Sequence, residues 1–353
     1  MSSSNLAHMI GQMFIVGFDG KRLNDDDPIV RAIVDRQVGG VILFDYNFKT
    51  KTFDKNIESR AQVKALTQQL REAHQQSGDT LPLIISVDVE GGQVNRLKPE
   101  YGFPEFAAPR DVGAMTDDEI EAQVTSLSEM LRELGFNFDY VPSLDVNVYP
   151  ENPIIGKLGR SFSSEPDRVI ECARHYGDIF NRHHLLWCYK HFPGHGSSHG
   201  DSHHGFVDVT ETWQAEELAP YQALLSSEPA CPAVMIAHVT HLELDGEGHP
   251  ASLSKTMIEQ LLRLELGFEG VAIADDMQMK AITDQYGLHE SLRKAINAGC
   301  DMLIFGNQLA DDWQDPKALI DLVLRDIETG HITVERIEQA YDRIRKMKEG
   351  FLC

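Results

Sequence analysis

Residues 185–206 read LLWCYKHFPGHGSSHGDSHHGF. A nearly unbroken apolar run meets Lys190 and His191 and then passes straight into glycine, serine and histidine. An apolar run without alternation is what a strand covered on both faces requires. Seven more runs of this kind occur: MFIVGF (13–18), GGVILF (39–44), LIISVD (83–88), FNFDYVPSLDV (136–146), AVMIAHV (233–239), GVAIAD (270–275) and DMLIFG (301–306). Helical patterns with legible ends lie between them. Asp27-Pro28 opens one, Thr116 with Glu119 caps a second that Gly135 closes, and Ser164 precedes a third. Ser254 starts another that Gly267 ends, and Asp315-Pro316 opens one that Gly330 ends. The final segment, VERIEQAYDRIRKMKEG, is expected to form a helix packing on the outside. Eight strands alternating with helices predict an α/β (β/α)8 TIM barrel, with residues 1–353 as a single domain. The rival is a doubly wound open sheet, but no GxGxxG follows a strand where a dinucleotide would need it.

The chain carries 32 basic against 55 acidic side chains, a net charge of −23. No Lys/Arg cluster offsets that field, so a nucleic-acid partner is not expected. No stretch approaches eighteen apolar residues, and the segment MSSSNLAHMIGQMFIVGF lacks a basic n-region. Neither a membrane span nor secretion is therefore expected, and the protein is placed in the cytoplasm. Cys172, Cys188, Cys231, Cys300 and Cys353 show no CxxC spacing and are expected to be reduced thiols.

A barrel places its chemistry at the C-terminal ends of its strands. Those ends hold Asp88, Asp145, Lys190, His191, His238, Asp275, Asp276 and Asn307. Five of the 15 histidines crowd into residues 190–206, and His191, His195, His199 and His203 fall four apart. On a helix that spacing would suggest a metal site. Pro193, Gly194, Gly196 and Gly200 forbid the helix, and a mobile catalytic loop leaving strand five is expected instead.

The motif KHFPGHG (190–196), followed after four residues by DSH (201–203), resembles the signature of the β-N-acetylglucosaminidases of glycoside hydrolase family 3. VDVEGGQVNRL (87–97), GRSF (159–162) and IADDMQM (273–279) are similar to further family elements in the same order. The resemblance implies a retaining mechanism with Asp275 as nucleophile and His203, oriented by Asp201, as acid/base. An imidazole with a pKa of about 6.5 can give and take a proton near neutrality. Asp88, Arg96, Arg160, Lys190 and His191 would hold the sugar. His195, His199 and His204 are expected to shape the loop.

The implied activity is an exo-β-N-acetylglucosaminidase acting on a small oligosaccharide or muropeptide, without metal or cofactor. The oligomeric state is left open. A β-glucosidase or a phosphorylase of the same family is the nearest alternative. A metal-dependent barrel hydrolase and a non-catalytic sugar-binding barrel are the others. Val89, Gln93 and Ala274 depart from the residues common in the family and bear on substrate preference.

Overall fold

A computed structural model describes residues 3–203, 205–309 and 313–352. Eight parallel strands close on themselves: β1 (Phe14–Gly17), β2 (Gly40–Ile42), β3 (Ile84–Val87), β4 (Phe138–Asp139), β5 (Leu186–Phe192), β6 (Ala233–Ile236), β7 (Val271–Ala274) and β8 (Met302–Phe305). Each pairs with its neighbours in sequence, and β1 pairs with β8 to complete the barrel. All eight lie within the apolar runs singled out above. Their residues are almost uniformly buried because side chains pack both inside the barrel and under the helices.

The element ends show where local chemistry prevails. Thr116 and Glu119 form the expected capping box on the helix Asp117–Leu134, and Gly135 leaves it at φ 86°. Asp315 caps Pro316–Glu328 by accepting from the Lys317 N–H. Two expectations need correcting. The third helix is capped at Glu165, not Ser164, because Pro166 supplies a preset φ and needs no donor partner at the first helical position. The run 136–146 yields only a two-residue strand, since Pro142 brings no N–H to the ladder. The segment after Ser254 winds as a π-type helix, Thr256–Glu265, with the Ser254 hydroxyl accepting from Met257 N–H. The last helix runs Val334–Leu352 and packs on Ser3–Gln12; its Lys348 is fully buried, donating to Gln12 Oε1 and Gly39 O.

Two local features prepare the site. A hairpin, Val89–Gly91 with Val94–Asn95, follows β3 and had no separate signal in the sequence. Its Gly91 sits at φ 94°, and a Cβ there would come within 2.1 Å of Ala107 O, so only glycine fits. On β5 the register with β6 slips, Tyr189 facing Val234 but Phe192 facing Ile236. The extra residue breaks the alternation that would send Lys190 and His191 to opposite faces. Both line the same cavity.

Four described cysteines are buried and unpaired; Cys353 lies outside the described residues. No described helix is long and apolar enough to cross a membrane. The barrel's opposite end is fastened by Asp301, whose fully buried carboxylate takes Arg263, Arg336 and Arg343 at 2.6, 2.7 and 3.1 Å. Asp301→Ala leaves buried guanidinium groups uncompensated and is expected to cost about 3–5 kcal/mol in denaturant unfolding. Asp321→Ala, at an exposed i,i+4 pair with Lys317, is expected to cost less than about 1 kcal/mol.

Candidate active site

The C-terminal ends of the strands enclose a cavity of about 370 Å³. Asp88, Arg96, Arg160, Lys190, His191, Asp201, His203 and Asp275, all singled out from the sequence, line it together.

At its floor lies a residue that the sequence did not bring forward. Glu90, 3% exposed, receives Arg160 through two parallel bonds, Nε to Oε2 at 2.8 Å and Nη2 to Oε1 at 2.7 Å. Its Oε1 also lies 2.6 Å from Lys190 Nζ. Burial works to raise the pKa of this carboxylate, but the charges of Arg160 and Lys190 outweigh it and hold Glu90 well below the usual range. Lys190 also donates to Asp88 Oδ1 at 3.0 Å. Glu90 and Asp88 thus flank one ammonium, which leaves Lys190 one further N–H. The only signal for Glu90 is its place inside the motif VDVEGGQVNRL, two residues after Asp88.

A second carboxylate extends the network. Asp145 Oδ2 meets His191 Nδ1 at 2.6 Å, while Oδ1 takes the His195 N–H at 2.8 Å. His191 Nε2 faces Arg160 Nη2 at 3.1 Å, so the hydrogen bonds assign the proton to Nδ1. Both ring nitrogens are therefore committed to protein partners, and His191 holds Arg160 in place while its ring lines the cavity. Arg160 also donates to Ile154 O at 3.2 Å. Arg96 differs, since its Nε is buried with no hydrogen-bond partner among the described residues.

Asp275, the residue after β7, aims into this cavity, and its Oδ1 accepts the Asp276 N–H at 2.7 Å. Burial acts to raise its pKa, yet His238, His191 and His203 prevail and lower it. Asp276 also borders the cavity, but its Oδ1 is taken by the Gln278 and Gly306 N–H groups, and burial pushes its pKa up to about 6. His238 props this corner, with Nδ1 on Ser252 Oγ and Nε2 on Asp276 O.

The loop after β5 is clamped at its base and pinned again at Ser202, whose carbonyl accepts the Ala281 N–H at 3.1 Å. Asn152 Nδ2 donates to His195 O and Gly196 O, and Trp213 Nε1 to Pro193 O. Glu217, fully buried, accepts from Gly196 N and Ser197 N, and burial pushes its pKa up to about 7. His195 meets Ser198 Oγ through Nδ1 and Ser202 Oγ through Nε2, and the His199 ring packs tilted on Tyr149 at 4.3 Å. The spacing of four therefore does not make a shared ligand set: among the described residues no group of three or more His, Cys, Asp or Glu is placed to hold a metal. His204 lies outside the described residues.

At the tip, Asp201 Oδ1 accepts both the backbone N–H of His203, at 2.8 Å, and its Nδ1, at 2.9 Å. The His203 side chain is 45% exposed. Its burial lowers the pKa, but the Asp201 hydrogen bond and the Asp275 and Asp201 charges raise it above 6.5 overall. A protonated His203 and an ionised Asp275 are thus each favoured by the other's charge.

Comparison with known proteins points one way. Residues 5–347 match the model of the glycosyl hydrolase family 3 N-terminal domain. A beta-hexosaminidase of Bordetella avium is 36% identical over 287 residues, covering 78% of this chain and 76% of the relative. Beta-hexosaminidase A of Pseudoalteromonas piscicida is 29% identical over 97% of this chain, which spans only 60% of that protein. The solved structure of a family 3 β-N-acetylglucosaminidase from Paenibacillus sp. FPU-7 superposes with a TM-score of 0.86 at 33% identity, covering 98% of this chain and 62% of that one.

Replacing Glu90 by Ala is expected to cost about 3–5 kcal/mol in urea unfolding, because two buried cations lose their counter-ion. It is also expected to lower kcat/KM by at least about a hundredfold through misplacement of Arg160 and Lys190. Unchanged unfolding free energy would show that the ion cluster does not hold the cavity floor.

Proposed function

The chain belongs to glycosyl hydrolase family 3, and on that premise we propose that it is a retaining exo-β-N-acetylglucosaminidase. It releases non-reducing terminal GlcNAc from small oligosaccharides such as cell-wall fragments. The observation that carries this is the convergence of Asp275 and the Asp201–His203 pair on one cavity floored by bound cations. On this reading the reacting groups all come from strand ends and loops of the barrel. The four described cysteines, buried and unpaired, support a reducing, cytoplasmic setting.

The Asp88, Arg96, Arg160 and Lys190 groups hold the terminal sugar by its hydroxyls. Asp275 attacks the anomeric carbon, and the bond to the aglycone oxygen breaks with its electron pair. That oxygen takes the proton of His203, which Asp201 orients through Nδ1. In the second half, water gives a proton to the now neutral His203 and attacks the anomeric carbon. The bond to Asp275 then breaks and the carboxylate is restored. The Asp276 N–H steadies the Asp275 carboxylate, and His238 holds the Asp276 carbonyl behind it.

Asp275→Ala is expected to abolish turnover while GlcNAc binding persists, and a 5-fluoro glycosyl donor is expected to label the wild-type protein on the peptide containing Asp275. Covalent label on any other peptide would overturn the nucleophile assignment.

Leaving groups separate the role of His203. A good leaving group departs without a proton, whereas an alkoxide does not. His203→Ala is therefore expected to slow chitobiose or methylumbelliferyl glycoside cleavage by about 10²–10⁴-fold and dinitrophenyl glycoside cleavage far less. Equal losses on all three would remove His203 from the acid role. Repeating the chitobiose assay with and without phosphate tells hydrolysis from phosphorolysis.

The pH profile follows from the two shifts. Activity needs Asp275 ionised and His203 protonated. Asp275 is lowered from 3.8 and His203 raised from 6.5, so kcat/KM should fall only below pH 3.8 on the acid side and above pH 6.5 on the alkaline side. Asp201→Asn removes a cause of the upward shift, and the alkaline limb is expected to move to lower pH. An alkaline limb that stays put in this variant would exclude Asp201 from setting the acidity.

A further inference from the structure

The floor of the cavity is polar and buried, but its rim carries an exposed aromatic ring. Phe44, Phe48 and Tyr140 all line the cavity; Phe44 and Tyr140 are buried, whereas Phe48 is 49% exposed. A single exposed phenylalanine is ordinary. Phe48 is not ordinary in its support.

It belongs to a loop that builds itself. Asn47 and Thr52 exchange both backbone hydrogen bonds, Asn47 N–H to Thr52 O at 2.8 Å and Thr52 N–H to Asn47 O at 3.3 Å. The Asn47 side chain accepts from Lys49 N–H at 3.0 Å, and Thr52 Oγ1 donates to Asp54 at 2.6 Å. Behind Phe48, the Tyr46 ring meets it edge-on at 4.9 Å and packs on Phe53 at 5.0 Å. Lys98 Nζ lies 4.3 Å from the centre of the Phe53 ring and ion-pairs with the buried Asp45 at 2.6 Å. A chain of contacts therefore runs from a buried carboxylate to the exposed ring and fixes its orientation. Aromatic edges held this way present an apolar face of defined direction.

The glycosidase reading determines which side of the substrate can reach that face. The sugar to be released contacts Asp88, Lys190, Arg160 and Asp275, all at the buried end. Whatever is joined to it must leave along the exposed lining, which Phe48 shares with Gln93, Leu158 and Gln308. We propose that Phe48 is the stacking platform of an aglycone subsite that takes the apolar C–H face of a pyranose ring. The exposed ring and the cavity mouth coincide, and a pyranose presents axial hydrogens to such a surface while its hydroxyls reach the neighbouring amide side chains. Ligand sites of this kind combine an aromatic wall with a few placed polar groups. Substrates with a sugar aglycone are thereby favoured over those with a small one.

The proposal rests on the glycosidase function and is tested against an internal control. kcat/KM is measured for GlcNAc-β-1,4-GlcNAc and for methyl β-N-acetylglucosaminide, whose aglycone is a single carbon. Both leave as alcohols and need the same acid. Phe48→Ala is expected to lower the disaccharide value about tenfold or more and the methyl value by less than about twofold. Phe48→Trp, which keeps an aromatic face, is expected to restore the disaccharide value. Equal effects on both substrates, or no effect on either, overturns the subsite. A wild-type protein that cleaves neither glycoside overturns the function proposed above, and the subsite with it.

Discussion

The cavity depends on how a buried carboxylate is neutralised. Glu90 sits where water cannot solvate it, so it is stable only between Arg160 and Lys190. The same demand applies in reverse: each of those cations, almost wholly buried, needs Glu90. One anion thus fixes two donors that come from distant parts of the chain, the loop after β4 and the bulge of β5. His191 and Asp145 extend the constraint from Arg160 to the base of the loop at His195. The donors facing the cavity are consequently held before any sugar arrives, and little reorganisation accompanies binding.

The two reacting groups are mounted differently. Asp275 follows directly on a barrel strand and is braced by His238 beneath Asp276. His203 lies on the outer part of a loop whose inner part is anchored by Glu217, Asn152 and Trp213. Farther out, buried Ser202 accepts the Ala281 N–H at 3.1 Å, which ties the Asp201–His203 pair to the segment that follows Asp275. The nucleophile is therefore placed by the scaffold, while the proton carrier is placed by a loop pinned at its base and again between Asp201 and His203.

All eight barrel strands were legible because apolar runs of the right length are an unmistakable demand for burial on two sides. Asp88, Lys190, His191 and Asp275 stand out as polar residues that end apolar runs, whereas Arg96, Arg160, Asp201 and His203 are marked only by the resemblance to the family's motifs. What was not legible is pairing across long separations. Nothing near Glu90 in the sequence says that it meets Arg160, seventy residues on. The slip in β5 that turns Lys190 and His191 to one side arises from the match with β6, which a single strand does not encode. Ser164 failed as a cap for a local reason: Pro166 moved the first turn. Regular histidine spacing carries no geometry in a chain broken by glycine and proline, and the rings of His191, His195 and His199 end on three different partners.

The mutual influence of Asp275 and His203 has a consequence for timing. Each stabilises the charged form of the other, so a negative barrel and a positive loop tip attract before reaction. In the proposed reaction the first step discharges both at once. Asp275 becomes an ester and His203 a neutral imidazole. The mutual attraction of the two groups is therefore absent in the intermediate, when the aglycone has to depart and water has to enter. Restoring the two charges in the second half restores it for the next substrate.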